Sequence, residues 1–185
     1  MSGVTSSGNG LLDILNAVSE LSQTQVLVGV PHGEARTDGD GMTNAQIGYL
    51  LETGSPAMNL PPRPFLAPGV AAVQEVVSEK LINAAHAAFD GKPQRMQMYL
   101  KAAGSKAMSS VQLYFVEGSF APLSIETIKA RARRGRSGAK KYLKQMKLGP
   151  PEAGLVKPLI DTGQLRKSVT YIIKEGDKEV GRAQS

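Results

Sequence analysis

The chain has no cysteine and no tryptophan, and only nine phenylalanines and tyrosines among 185 residues. Without thiols there are no disulfides, no thiolate nucleophile and no cysteine-ligated metal, which fits a reducing compartment. Two histidines, His32 and His86, leave little for imidazole chemistry. The shortage of aromatics means that the core must be built mainly from Val, Ile, Leu and Ala. No apolar run approaches the roughly 20 residues that cross a bilayer. Met1 to Gly10 is rich in Ser and Gly and lacks the basic start and apolar stretch of a signal peptide. The expectation is a soluble, unprocessed chain with no membrane partner.

What the chain does have is 20 glycines, 11 prolines and an uneven charge. Its net charge is +6, but nine basic residues fall between Lys129 and Lys147 with no Asp or Glu among them. Without these nine, the remaining 13 basic residues face 16 acidic ones. The pattern is that of a mildly acidic body carrying one basic segment, not a uniformly basic nucleic-acid binder.

Leu11, Leu12, Leu15, Val18 and Leu21 recur at helical spacing, so residues 10–22 should form a short amphipathic helix. Gln25 to Val30 alternates as a strand and stops at Pro31, which lacks a backbone donor. A polar, Gly-rich loop covers His32 to Met42. Thr43 followed by Gln46 has the form of a capping box and predicts a short helix to Gly54. Five prolines between Ser55 and Pro68 then hold an extended arm. Val70 to Phe89 carries a helical stripe stopped by Gly91, and a further helix covers Gln94 to Ser109, while Val111 to Val116 fits either its continuation or a strand. Ser124 caps a helix that runs into the basic segment and becomes exposed or disordered there, and Gly149-Pro150-Pro151 breaks any helix. Ser168 to Lys174 is the second clear strand, with Val169, Tyr171 and Ile173 on one face, and it is expected to share a sheet with the first.

Three short patterns resemble reactive sites. Asp161-Thr162-Gly163 has the form of an aspartic-protease triplet, but only 22 residues follow Gly163, too few for the rest of such a barrel. A turn is the expected structure, with Asp161 bonding amides ahead of it and Gly163 taking an unusual φ. His32-Gly33-Glu34 matches half of a zinc-deaminase signature whose other half needs cysteines. Asp38 and Asp40 sit as in a calcium loop but lack the later ligands and the closing Glu. No catalytic residue, metal ligand or cofactor is therefore assigned. The run from Arg131 to Lys141 lacks the ordered Gly and Lys-Ser/Thr spacing of a phosphate loop, and without an aromatic it offers no platform for stacking bases.

Four segments taken in order carry a family likeness: Ala45 to Gly54, then Pro61-Pro62-Arg63-Pro64-Phe65-Leu66, then Pro122 to Ile128, and last Lys157 to Ser168, in which Pro-Leu-Ile-Asp-Thr-Gly-x-Leu-Arg-x-Ser precedes a strand. In this combination the chain resembles the neck and tail-completion proteins of tailed bacteriophages, also described as virion-morphogenesis or minor tail proteins. The resemblance implies an α+β subunit with a small mixed or antiparallel sheet flanked by helices and extended Pro-rich and basic loops. It implies a homo-oligomeric ring around the DNA channel at the head-tail junction of the virion, assembled in the host cytoplasm. The implied neighbours are head-completion or connector proteins, tail-terminator or tail-tube proteins, and the DNA in transit. The alternative is a DNA-binding accessory module acting through residues 129–147.

The expected organisation is an N-terminal extension over 1–10, one domain over 11–175 with a flexible basic insertion at 129–151, and a tail over 176–185. The likeness marks Arg63, Phe65, Leu66, Asp161, Leu165 and Arg166 as candidates for contact with a neighbouring subunit, with packing inside the subunit as the competing role. Gly163 belongs with them as a shaper of the turn. Arg131, Arg133, Arg134, Arg136, Lys140 and Lys141 are the candidates for contact with DNA or an acidic partner.

Overall fold

Two alternating segments far apart in the sequence meet as neighbouring strands. The computed structural model describes residues 10–33, 41–152 and 154–183. Among them are eight α-helices, one 3-10 turn and a three-stranded antiparallel sheet, an α+β fold. None of these helices is long and apolar enough to cross a membrane. The chain forms two compact units, each built from separate stretches of sequence. One comprises 10–29, 70–110 and 170–183, and the other comprises 30–69 and 111–169 within the described residues.

In the first unit, helix α1 (Gly10–Gln23) leads without a loop into strand β1 (Thr24–Gly29). Strand β2 (Thr170–Glu175) lies antiparallel to it, with Val26 opposite Ile173 and Val28 opposite Tyr171. The expectation of one sheet for these segments holds. Residues 176–185, expected as a tail, instead begin with a hairpin: Glu175 pairs with Lys178 around the two-residue turn Gly176-Asp177, and strand β3 (Lys178–Arg182) covers the other side of β2. Gly-Asp between two strands is a recognised hairpin signal. The strand itself is faint in sequence because Val180 is its one large apolar side chain.

Helices α4 (Gln74–Phe89) and α5 (Pro93–Glu117) supply the rest of this core. Ala84, Ala87, Met96 and Leu100 enclose Tyr171 and Ile173, and Leu21, Val26 and Val28 pack against the cluster. Residues 111–116, open between helix and strand in sequence, continue α5. The small side chains have a packing purpose. A Cβ on Gly104 would lie 2.4 Å from the Tyr171 ring, so α5 can carry only hydrogen there.

The second unit holds helix α2 (Asn44–Thr53), the 3-10 turn Pro56–Met58, and helices α3 (Leu66–Ala71), α6 (Ile125–Arg133), α7 (Ser137–Met146) and α8 (Gln164–Ser168), together with the end of α5. The capping box forms as expected: Gln46 N–H donates to Thr43 Oγ1 and Thr43 N–H donates to Gln46 Oε1. Ser124 caps α6 by accepting from the Thr127 amide. Two expectations change. The stripe starting at Val70 is not one helix, because α3 begins inside the Pro-rich arm and ends at Ala71, and α4 starts afresh at Gln74. Pro68 is tolerated in the first turn of α3, where its missing amide would have no helical partner. The basic segment is not an open loop. It folds into α6 and α7, which pack on one another around buried Ile128 and Ala139.

The contact of Gly104 with Tyr171 gives a direct test. Gly104→Ala should destabilise the protein by about 1–3 kcal/mol through overpacking. Adding Tyr171→Leu should return part of that loss, giving a coupling of at least about 0.5 kcal/mol in a double-mutant cycle followed by urea unfolding. Additive losses would mean that the ring does not press on this turn of α5.

Candidate functional site

The Pro-rich and loop segments of the second unit bring backbone groups that no helix or strand satisfies, and charged side chains satisfy several of them. Arg63 is 4% exposed. Its Nε donates to the Ala121 carbonyl at 2.8 Å and its Nη2 to the Pro122 carbonyl at 2.9 Å. Its own amide donates to the Leu51 carbonyl at the end of α2. The side chain therefore ties the arm to the segment that enters α6. Burial pulls the Arg63 pKa below its ordinary value, but a guanidinium remains charged.

Glu52, on α2, has the complementary task. Its carboxylate accepts the amides of Phe65 and Leu66 at 2.7 and 2.9 Å and that of Ala67 at 3.1 Å. These are donors that the start of α3 leaves without helical partners, so Glu52 caps α3 from a distance. This places Phe65 inside the unit, 2% exposed and with its ring centroid 4.5 Å from that of Phe115. Of the two roles open to Arg63 and Phe65 in sequence, the structure uses the internal one. Only these two side chains of the arm are buried, since Pro56 to Asn59, Pro61, Pro62 and Pro64 stay exposed.

The basic segment meets the Asp161 turn in the same manner. Arg131, 8% exposed, donates through Nη1 to the carbonyls of Lys157 and Ile160 and through Nη2 to that of Pro158, at 2.8 to 3.0 Å. Asp161 receives three arginines: Arg136 Nε at 2.8 Å, Arg134 Nη2 at 3.3 Å and Arg131 Nε at 3.8 Å. Desolvation lowers the Arg131 pKa, and the Asp161 carboxylate opposes that shift. Within the expected turn, Thr162 Oγ1 accepts the Gln164 amide, and Gly163 at φ +79 starts α8. Bonding to amides ahead, expected of Asp161, thus passes to Thr162. Leu165 is buried, whereas Arg166 is exposed and donates through Nε to the Gln112 carbonyl at 3.0 Å. Lys157 Nζ closes the loop onto the Val116 carbonyl at 2.8 Å.

These segments surround a cavity of about 520 Å³. Ile47 and Leu51 come from α2, Leu60, Pro61 and Arg63 from the arm, Pro122 to Ser124 and Thr127 from the start of α6, and Leu159, Asp161 to Gly163 and Leu165 from the last segment. Asp161 is the one acid among the lining residues, so the paired carboxylates of an aspartic protease are not assembled there. Among the described residues no group of three or more His, Cys, Asp and Glu side chains is placed to hold a metal. His32 is exposed, and Glu34, Asp38 and Asp40 lie outside the described residues. No family model, curated protein or solved structure matches the chain.

Of the basic candidates, Arg131 and Arg136 serve the Asp161 turn, and Arg134 joins them while staying half exposed. Lys141 faces Glu152 at 3.3 Å on the surface. Arg133 and Lys140 are exposed and, with Lys129, Lys144 and Lys147, have no carboxylate partner among the described residues. Glu52 is not among the sequence candidates, although it stands inside the first family-like segment. The one signal for it is a Pro-rich arm whose amides have to find acceptors.

Removing these clamps should cost stability. Arg131→Ala leaves the part-buried carbonyls of Pro158 and Ile160 without their donor and the Lys157 carbonyl with the Ile160 amide alone, and should lose about 3 kcal/mol, while Glu52→Ala should lose about 2 kcal/mol. Arg133→Ala should stay within about 0.5 kcal/mol of the parent. Equal denaturation midpoints for the Arg131 and Arg133 variants would contradict the assignment.

Proposed function

We propose that this protein is a structural subunit of the head-tail junction of a tailed bacteriophage, acting in neck formation or tail completion as a ring around the DNA channel. The observation that supports it is the convergence of the four family-like segments on one cavity of the second unit. In sequence they are separate, weak motifs. Gathered round one cavity, they become parts of one framework in which Arg63, Glu52, Arg131 and Asp161 spend their charges on backbone groups and on each other. Such a use of charge suits a scaffold, and no catalytic role forms part of the proposal. In this reading the subunit sits in the virion beside connector and tail-tube or tail-terminator proteins, and Leu165 and Arg166 belong to the framework from which neighbours are met.

A second reading, a DNA-binding accessory module, is favoured by one feature. Lys140, Lys144 and Lys147 recur at i, i+4 and i+7 around the end of α7, and Lys129 and Arg133 at i, i+4 on α6, all exposed and without a carboxylate partner among the described residues. Rows of free cations suit phosphates, whose neutralisation releases counterions.

Loss of the gene should give full heads and finished tails that do not join, seen by electron microscopy of lysates, and the protein should be found in purified virions. Normal joined particles without the protein would reject the junction role. Replacing Lys129, Arg133, Lys140, Lys144 and Lys147 by Gln should leave the fold intact, since the clamping arginines are untouched. If these residues bind DNA, the slope of log affinity against log salt should flatten by about 0.9 for each phosphate that is no longer neutralised. Unchanged salt dependence together with unchanged particle yield would reduce the two rows to a solvated surface.

A further inference from the structure

The two edges of the three-stranded sheet differ in how they are protected. On β3, Lys178, Glu179 and Arg182 provide charge, and the register shifts between Ile173 and Lys174 where β3 pairs with β2. Charges and bulges are the usual means of keeping an edge from pairing with another chain. On the opposite edge, β1 reads Thr-Gln-Val-Leu-Val-Gly, with no charge, no proline and no shift in its ladder, and Leu27 is 43% exposed.

The register tells which groups face outward. The Gly176 amide donates to the Gln23 carbonyl, and Gln25, Leu27 and Gly29 follow Gln23 at the two-residue repeat of an antiparallel ladder. These odd positions bond to β2. The amides and carbonyls of Val26 and Val28 and the carbonyl of Thr24 therefore point to the free edge, while the Thr24 amide lies at the end of α1.

We propose that this edge pairs with the same edge of a second copy of the chain, β1 antiparallel to β1 about Val26. The strand is self-complementary in that register. Val26 faces Val26 and Thr24 faces Val28 on the core side, while Gln25 faces Leu27 on the other, so each side chain meets one on its own face of the sheet. The outward amides of Val26 and Val28 and the carbonyls of Val26 and Thr24 are then bonded, about four interstrand hydrogen bonds in total. A β3 edge could not replace it without bringing its charges and bulge against an uncharged strand. The pairing is two-fold, whereas a ring closes through head-to-tail interfaces, so it goes beyond the ring reading and stands or falls separately.

Amide exchange of the full chain, measured residue by residue from about 1 µM to about 200 µM alongside sedimentation, tests the pairing. Protection of the Val26 and Val28 amides should rise with concentration as the dimer forms, while that of Gln25 and Leu27 stays constant. Val26→Pro removes an outward amide that the subunit's own ladder does not use. Leu27→Lys leaves the backbone intact and adds a guarding charge. Each should weaken self-association at least tenfold. Outward amides that exchange freely at every concentration would overturn the proposal, even where the chain forms a ring through other surfaces. Protection already complete at the lowest concentration would show that the chain covers its own edge, and would also overturn it. Wild-type association in both variants would do the same.

Discussion

The second unit depends on one buried guanidinium. The Arg131 side chain leaves α6 and gathers three carbonyls from a stretch of four residues, 157–160, whose one turn bond, from the Ile160 amide to the Lys157 carbonyl, satisfies little of it. A neutral side chain could not do this, since only arginine presents a fork of donors broad enough to reach several acceptors at once. Burying that charge is costly, and the Asp161 carboxylate beside it offsets part of the cost. Arg134 and Arg136 then share the same carboxylate, so the turn before α8, the end of α6 and the start of α7 are all set around one acid.

The same device operates with the opposite sign at the Pro-rich arm. Glu52 collects amides where Arg131 collects carbonyls, and Arg63 adds a second guanidinium to the carbonyls of 121 and 122. A chain poor in aromatics has few large side chains with which to hold irregular segments by packing alone, and Phe65 against Phe115 is the chief exception in this unit. Charged side chains bonded to backbone supply the fixing that aromatic bulk would supply elsewhere. In the first unit, where strands and helices satisfy their own backbones, alanines with Met96, Leu100, Ile173 and Tyr171 form the buried cluster.

What can be read in the sequence is what depends on near neighbours. The helix α1, the alternation of β1 and β2, the Thr43–Gln46 box and the Ser124 cap each lie within a few residues, and each forms as expected, although Leu12, Leu15 and Val18 of the α1 stripe stay exposed. What cannot be read depends on distant partners. The start of α3 at Leu66 needs Glu52, and the ordering of the basic segment into α6 and α7 goes with Asp161, about 30 residues from Arg131. The charge run looks self-repelling because its counter-ion lies beyond Gly149-Pro150-Pro151. The family-like segments are visible as words, but their meeting round one cavity is not, since nothing local in Pro61 to Leu66 refers to Asp161.

The clamps at Arg63 and Arg131 end on carbonyl oxygens, and every residue type has one. Ala121 and Ile160 could be exchanged for almost any other residue without altering what the guanidinium meets, provided the main chain keeps its path. Drift at such positions is therefore nearly free of structural consequence, and only the arginine and the course of the loop are under constraint. A scaffold held in this way tolerates wide change of sequence around its clamps while its framework stays the same.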